Sequence, residues 1–254
     1  MAKLLCGANS KPIPKLHPVI TVVDMDNASC LSFASMCLWG HPNMKKDIIA
    51  EIVDFWLADS RTDPERAAGR RDWWYEGGPA VDNEIHARFG DLVPQACARE
   101  LMGWDDTPDG ALALILLLDQ FTRNLYRGSV EAYAGDACAF EVVNQAINAK
   151  LDLKLHPVSR IWLYHPFHHS ENVGEQDHGL NLLRALREEA DPAWHAYVER
   201  SITGWTRHRN IVAEFGRFPH RNPVLGRDST PAEQAYIDGG GESFGQGIQG
   251  SPDG

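Results

Sequence analysis

The chain has 254 residues, of which 43% are hydrophobic, and a formal net charge of −11. A chain of this length can bury one sizeable core, and we expect one domain. The acidic balance argues against a nucleic-acid partner, because phosphate contacts need clustered lysines and arginines with a favourable long-range field. A local basic pocket is compatible with this charge and would select small anions over long polyanions.

The five cysteines are scattered without a CxxC pair, which favours a reducing cytoplasm over a disulfide framework. No apolar run approaches the roughly 20 residues that span a bilayer. The chain also begins without the charged start, apolar stretch and cleavage site of a signal peptide. We therefore expect a cytoplasmic protein with no membrane partner.

The helical pattern starts at Met44, so residues 1–43 are interpreted as an N-terminal extension of uncertain order. Residues 44–238 are predicted to form one all-helical domain. Residues 239–254 contain seven glycines and almost no apolar side chains, which predicts a disordered tail. We expect both ends to be dispensable for folding.

The first predicted helix carries an apolar stripe from Ile48 to Trp56, at spacings of three and four residues. A second helix start is indicated by Asp63 and Pro64, a capping residue followed by a proline at the first helical position. Asp82 is interpreted as the cap of a third helix that contains Ile85.

The clearest predicted helix runs over 108–127. Thr107 is its expected cap, and Gly128 is expected to end it in a left-handed conformation. Residues 111–118 are apolar on every side, so this helix should lie at the centre of the core.

Further helices are predicted over 130–150, from Ser170 through the leucines at 180–186, and over 193–215. A capping box at Thr230 opens a short last helix. Sustained alternation of apolar and polar residues is absent apart from a short patch at 19–23, so the fold class is all-α. Long helices with short loops favour antiparallel helix pairs, stacked as a solenoid or an irregular bundle.

The chain contains three distinctive motifs, LILLLDQFTRNLYRG at 114–128, HSE at 169–171, and FGRFPHRN at 215–222 with LGR at 225–227. Together they resemble the DUF924 family of bacterial proteins of uncharacterised function. The resemblance covers roughly residues 45–238 and implies a tetratricopeptide-like α–α superhelix, but no reaction. Thr122 departs from the family's usual proline, and His165 and His168 stand where other residues are usual. Only His169 matches the family's histidine, so we do not expect His165 or His168 to be ligands.

The segment 215–227 has the composition of a ligand-facing loop. It combines Arg217, His220, Arg221, Asn222 and Arg227 with two phenylalanines and two prolines. Guanidinium groups are almost never fully buried without anionic partners, so an anion is expected close to this loop.

Polar residues also follow the apolar part of the central helix. Asp119, Arg123 and Arg127 are spaced by four and share one face, and Gln120 and Asn124 form an adjacent row. This pattern is typical of a pocket wall, and equally of an internal ion pair between Asp119 and Arg123 that orders the end of the helix.

His169 and Glu171 allow two readings. Ser170 can cap the following helix while Glu171 complements its dipole. Alternatively, Glu171 pairs with Arg217 or Arg221, and His169 acts as an acid or base. No HExxH motif is present and Pro166 disfavours a helix that would pair the neighbouring histidines, so we expect no metal and no cofactor.

The sequence therefore predicts a polar pocket that binds an anionic small molecule or an acidic peptide terminus. The alternative is a hydrolase-like enzyme in which His169 or His220 acts as acid or base, Glu171 orients it, and the arginines stabilise negative charge. An enclosed cavity of small-ligand size would favour chemistry, and an open groove would favour a peptide. The residues expected at the pocket are Asp119, Gln120, Arg123, Asn124, Arg127, His169, Glu171, Arg217, His220, Arg221, Asn222 and Arg227.

Overall fold

The computed structural model describes residues 42–246. All regular secondary structure in that range is helical, which confirms the all-α prediction, while the superhelical arrangement stays a prediction. The expected N-terminal extension lies outside the described residues up to position 41. The first helix begins at Pro42, two residues before its predicted start.

The structure contains thirteen α-helical segments in its described range. In chain order they are α1 (Pro42–Leu57), α2 (Pro64–Gly69), α3 (Arg71–Glu76), α4 (Gly78–Phe89), α5 (Leu92–Cys97), α6 (Pro108–Ile115), α7 (Thr122–Leu125), α8 (Asp136–Asn148), α9 (Pro157–Leu163), α10 (His165–His169), α11 (Val173–Glu189), α12 (His195–Phe215) and α13 (Pro231–Asp238). Short 3₁₀ turns occur at Val130–Tyr133, Asp152–Lys154, Pro192–Trp194 and Pro219–Arg221.

Several predicted helix starts are confirmed. The Asp63 side chain accepts a hydrogen bond from the backbone N–H of Arg66 at 2.9 Å, and Thr230 forms the expected capping box with Glu233. Asp82 is an exception because it lies inside α4 and does not cap it. Its carboxylate instead binds Asn124, on a helix that packs against α4.

The central helix is formed by α6, a π-helical segment at Leu116–Phe121, and α7. Its prediction as the buried centre is confirmed, because the side chains of residues 111–118 are almost completely buried. Thr107 caps it, and Gly128 has the expected left-handed φ of 79°. The π-helical segment was not predicted, since a leucine-rich run has the same composition in either kind of helix.

The predicted helix over 130–150 is broken at Gly135. A Cβ atom at this position would lie 2.1 Å from the backbone oxygen of Leu118 on the central helix, so only glycine fits this close approach. The approach places Asp136, the first residue of α8, against Arg123 of the central helix.

α11 and α12 pack against each other as an antiparallel pair. Ion pairs join Asp177 to Arg209 at 2.8 Å and Glu199 to Arg187 at 3.0 Å. The N-terminal part of each helix therefore lies beside the C-terminal part of the other. The cap of α11 is Asn172, which accepts from the backbone of Glu175 at 3.2 Å, and not Ser170 as predicted.

Residues 239–246 differ from the predicted disordered tail because they pack on α12 and the central helix. The Phe244 ring stacks on His208 with 3.5 Å between ring centroids, and Glu242 pairs with Arg207 at 3.0 Å. Side-chain and backbone contacts together therefore dock this glycine-rich segment. Residues 247–254, the rest of the predicted tail, lie outside the described part of the chain.

Candidate functional site

A cavity of about 430 Å³ lies between the central helix and α12. This volume is within the range of small-molecule sites. Twenty-eight of the described residues line it, and they come from the segments 71–81, 120–127, 165–169, 200–208, 220–221 and 244–246, together with Tyr133. Segments that are far apart in sequence therefore meet at one place.

Seven of the twelve predicted site residues line this cavity, and five do not. Those in the wall are Gln120, Arg123, Asn124, Arg127, His169, His220 and Arg221. The five behind or beside it are Asp119, Glu171, Arg217, Asn222 and Arg227.

Asp119 holds His169 from behind the cavity wall. The carboxylate is buried, and its two oxygens lie 2.8 and 2.9 Å from Nδ1 of His169. A proton on Nδ1, donated to Asp119, leaves Nε2 of His169 as an acceptor without a hydrogen-bond partner among the described residues. Burial, together with the charge of Arg123, holds the pKa of His169 well below its ordinary value.

Arg123 is a cation whose charge is balanced by carboxylates. Its guanidinium lies 2.9 and 3.1 Å from the two oxygens of Asp136, and 3.1 Å from Asp119. Burial alone would lower its pKa, but these two carboxylates outweigh burial and raise it. The predicted ion pair between Asp119 and Arg123 forms, and Arg123 also lines the cavity.

Asp82 balances the charge at the far end of the central helix. It accepts from Asn124 at 2.7 Å and from Nη2 of Arg127 at 3.1 Å. Arg127 also donates to the backbone oxygen of Gly245 at 2.8 Å, which ties the C-terminal segment to the cavity wall.

Glu171 has a different partner from those that the sequence offered. It accepts from both terminal nitrogens of Arg227, at 2.6 and 3.0 Å, and from the backbone N–H of Phe218 at 2.9 Å. Glu171 therefore shapes the loop behind the cavity, and Asp119, not Glu171, orients His169. Although burial acts to raise its pKa, the hydrogen bonds from Arg227 and Phe218 lower it below the ordinary value.

Arg217 and Asn222 are also structural. Arg217 binds Glu233 of α13, with a distance of 2.8 Å from Nη2, and so points away from the cavity. Asn222 is completely buried and accepts from Nε of Arg227 at 3.0 Å. These contacts correct the prediction that both residues line the pocket. Arg217 is occupied by the carboxylate of Glu233, and Asn222 by the guanidinium of Arg227 and the hydroxyl of Ser229.

Arg221 is the exception among the buried arginines. Arg123, Arg160 and Arg221 are buried in the described range, and Arg221 alone has no hydrogen bond from its guanidinium. The nearest carboxylate, Glu171, is 4.0 Å away. The guanidinium lies over the rings of Phe218 and Tyr133, at 4.3 and 4.9 Å from their centroids. Burial and the repulsion from Arg123 lower its pKa.

Further cavity residues were missed or discounted in the sequence. His165 and His168 line the wall although the family resemblance argued against them, and His208 was not recognised. Burial lowers the pKa of His165 to about 4, and the pKa values of His208 and His220 to about 3, so these rings are neutral near pH 7. The sequence carries no signal that separates His208 from any other histidine of an amphipathic helix.

No group of three or more histidine, cysteine, aspartate or glutamate side chains between 42 and 246 is arranged to hold a metal ion. None of the helices in that range is long and apolar enough to cross a membrane.

Fold and site together define an all-helical protein whose arginines and histidines converge on one small cavity. The chain belongs to the DUF924 family, since the family model, described as a bacterial protein of unknown function, matches residues 52–241. A solved structure of a protein of unknown function from Agrobacterium tumefaciens is similar, with 36% identity and a TM-score of 0.64. The similarity covers 76% of this chain and 98% of that chain. No protein of curated function matches the chain.

Proposed function

We propose that the cavity binds a small anionic molecule through Arg221. The observation that carries this proposal is a buried guanidinium that lines the cavity without one hydrogen-bond partner in the described range. Nε of Arg221 is fully buried without a partner, which is costly, and the guanidinium carries four further N–H donors that make no hydrogen bond within the described residues. A carboxylate or a phosphate matches the fork of these donors and would supply the missing charge.

The surrounding charges support an anion and not a second cation. Asp119, Asp136 and Asp82 are already occupied by Arg123, Arg127 and the neighbouring amides. Among the buried arginines of the described range, Arg221 is the one that lacks a close counter-ion. The volume of the cavity favours a small molecule over the acidic peptide terminus that the sequence left open.

The test compares thermal unfolding of the parent and Arg221→Gln in rising phosphate and sulfate. A ligand at about 100 times its Kd stabilises the folded state by about 2.7 kcal/mol. We expect the anion to raise the Tm of the parent and to leave the Tm of Arg221→Gln unchanged. Arg209→Gln is the matched control, because Arg209 belongs to an exposed ion pair with Asp177 outside the cavity.

Equal stabilisation of the parent and Arg221→Gln would show that the anions bind elsewhere on the protein. In that case the proposal is wrong, and the guanidinium is only packed between the rings of Phe218 and Tyr133.

A second candidate is acid/base chemistry in the same cavity, and the contact between Asp119 and His169 favours it. A buried carboxylate that holds one imidazole nitrogen leaves the other nitrogen as a general base. In a hydrolysis, Nε2 of His169 would take a proton from water as the water oxygen adds to the substrate, and would return that proton to the leaving group. His169→Gln should then remove hydrolysis of anionic esters while phosphate still stabilises the variant, and unchanged hydrolysis would exclude this role.

A further inference from the structure

The wall of the cavity is built of flat rings. Eleven of its 28 lining residues carry an aromatic or imidazole ring, and Val81 is the single aliphatic side chain among them. An ordinary apolar pocket contains leucine, isoleucine or methionine, which fit rounded and irregular shapes. Rings and glycines form flat surfaces, so the shape of this wall selects a flat ligand.

Four of these rings form a column along α12. His168 stacks on Trp205 with 4.7 Å between centroids, His208 lies 3.7 Å from His168, and Phe244 lies 3.5 Å from His208. Trp205 stacks on one face of His168 and Phe244 on one face of His208, while the two histidine rings are tilted by 45° to each other. Because these faces are covered by neighbouring rings, we expect the two histidines to present their edges to the cavity. Ring edges carry partial positive charge and attract the negative face of another aromatic ring.

The column ends close to the proposed anion site. Phe244 is 5.7 Å from His220, and His220 is 5.6 Å from Phe218, the ring that lies under the Arg221 guanidinium. A ligand with its charge on Arg221 therefore has ring edges, and not aliphatic groups, along its body.

The backbone of Phe244 is held in a costly conformation. Its φ is 52°, in the left-handed region that side-chain-bearing residues rarely adopt. Such conformations persist where the surroundings impose them, and they concentrate at functional sites. In a segment rich in glycine, the residue held in this way is the one that places a ring against His208.

We infer that the ligand is an aromatic anion, with its carboxylate or phosphate on Arg221 and its flat ring against the edges of the column that ends in Phe244. This inference rests on the proposed function and adds the chemical class of the ligand.

The test uses two probes with the same charge, 2-naphthoate and its fully saturated analogue decahydro-2-naphthoate. Their Kd values are measured by calorimetry on the full chain. One or two good ring contacts correspond to about tenfold in Kd, so we expect the aromatic probe to bind about tenfold more tightly. Phe244→Leu keeps an apolar side chain but removes the ring, and should reduce this preference. Phe215→Leu is the matched control, because Phe215 packs on Tyr236 outside the cavity.

A second measurement does not depend on any variant. The imidazole C–H signals of His208 and His168 are followed by NMR while either probe is added. An aromatic ring against these edges shifts the signals by its ring current, and the saturated probe does not.

Each other outcome overturns a defined part of the inference. Equal Kd values for the two probes, with binding lost in Arg221→Gln, would leave the anion site standing and make the aromatic class wrong. If Phe244→Leu still binds the aromatic probe more tightly than the saturated one, the Phe244 ring does not contribute to this preference. Absence of binding for both probes and for phosphate would contradict the proposed function itself.

Discussion

Arg221 and Arg227 lie six residues apart on one loop, and the structure uses them in opposite ways. Arg227 makes hydrogen bonds to Glu171, Asn222 and the backbone of Phe218. Arg221 is more deeply buried, and its guanidinium makes no hydrogen bond within the described residues. Arg221 and Arg227 are the same residue type on the same loop. They differ in whether the protein itself supplies a carboxylate to balance the charge.

This difference separates a structural arginine from one that is poised to bind a ligand. Removing one partner of a buried ion pair strongly destabilises the folded protein, because the other charge is left unpaired. A buried charge without a partner costs stability in the free protein, and a ligand that supplies the partner recovers that cost. The two regions should therefore respond differently to pH, to mutation and to truncation.

Acid should weaken the cavity region first, and this is the largest expected effect. The pKa values of His165, His208 and His220 are lowered to about 4, 3 and 3, so the unfolded chain takes up protons before the folded chain does. The stability that these neutral histidines contribute is fully present above about pH 6.5, their pKa in the unfolded chain, and is lost as the pH falls towards 4. Urea unfolding should show a loss of several kcal/mol between pH 7 and pH 5.

The contribution of a single histidine can be separated by mutation. His208→Gln should reduce the pH dependence of the unfolding free energy by about 2 kcal/mol over the same interval. His86→Gln, at an exposed position outside the cavity wall, is the control variant. Glu171 acts in a lower pH range. Because its pKa is lowered in the folded protein, the stability that it contributes is lost only below about pH 4.5. A protein whose stability is flat down to pH 5 would contradict burial of neutral histidines.

Removing the satisfied arginine should have the next largest effect. Arg227→Met leaves the carboxylate of Glu171 without its two strongest donors and should lower the unfolding free energy by about 2 kcal/mol. Arg99→Met is the control, because it breaks an exposed pair with Glu141 that contributes at most about 1 kcal/mol. Equal losses in the two variants would place the Glu171 contact among ordinary surface pairs.

Removing the unsatisfied arginine should act in the opposite direction. Arg221→Met replaces a desolvated charge by an apolar side chain of similar length, and should raise the unfolding free energy of the ligand-free protein by about 1 kcal/mol. Chemical denaturation in an anion-free buffer measures this change. A loss as large as that of Arg227→Met would erase the distinction between the two residues.

Truncation should have the smallest effect on stability. A chain that ends at Gly241 loses three contacts with the cavity wall, namely those of Phe244 with His208, of Gly245 with Arg127 and of Gln246 with Arg123. We expect its unfolding free energy to stay within about 1 kcal/mol of the parent, because few apolar side chains are removed. Binding of 2-naphthoate, measured by calorimetry, should weaken much more, and undiminished binding would show that the segment is not part of the site.

The sequence predicted what depends on local pattern. Apolar periodicity and capping residues located most helices, and the all-apolar run at 111–118 identified the buried centre. The composition of three polar segments also led to Arg123, His169 and Arg221, which the structure places around one cavity.

The sequence did not predict which of several similar residues form a contact. Glu171 could pair with several arginines of one loop, and the backbone path through the turn at Pro219–Arg221 brings Arg227 to it. His208 resembles any histidine of an amphipathic helix until its neighbours are known. Phe244 was assigned to disorder because composition averages over a segment, whereas docking here depends on specific contacts of Glu242, Phe244 and Gly245.

The π-helical segment at Leu116–Phe121 gives the central helix a wider turn than an α-helix. If this segment had one residue fewer, the helix could continue as an ordinary α-helix, but each following residue would turn by about 100° around the axis. Arg123, Asn124 and Arg127 would then leave the cavity, while the hydrophobic pattern and the fold could persist. A related chain must therefore keep the same number of residues between the apolar run and these polar positions if the polar positions are to face the cavity.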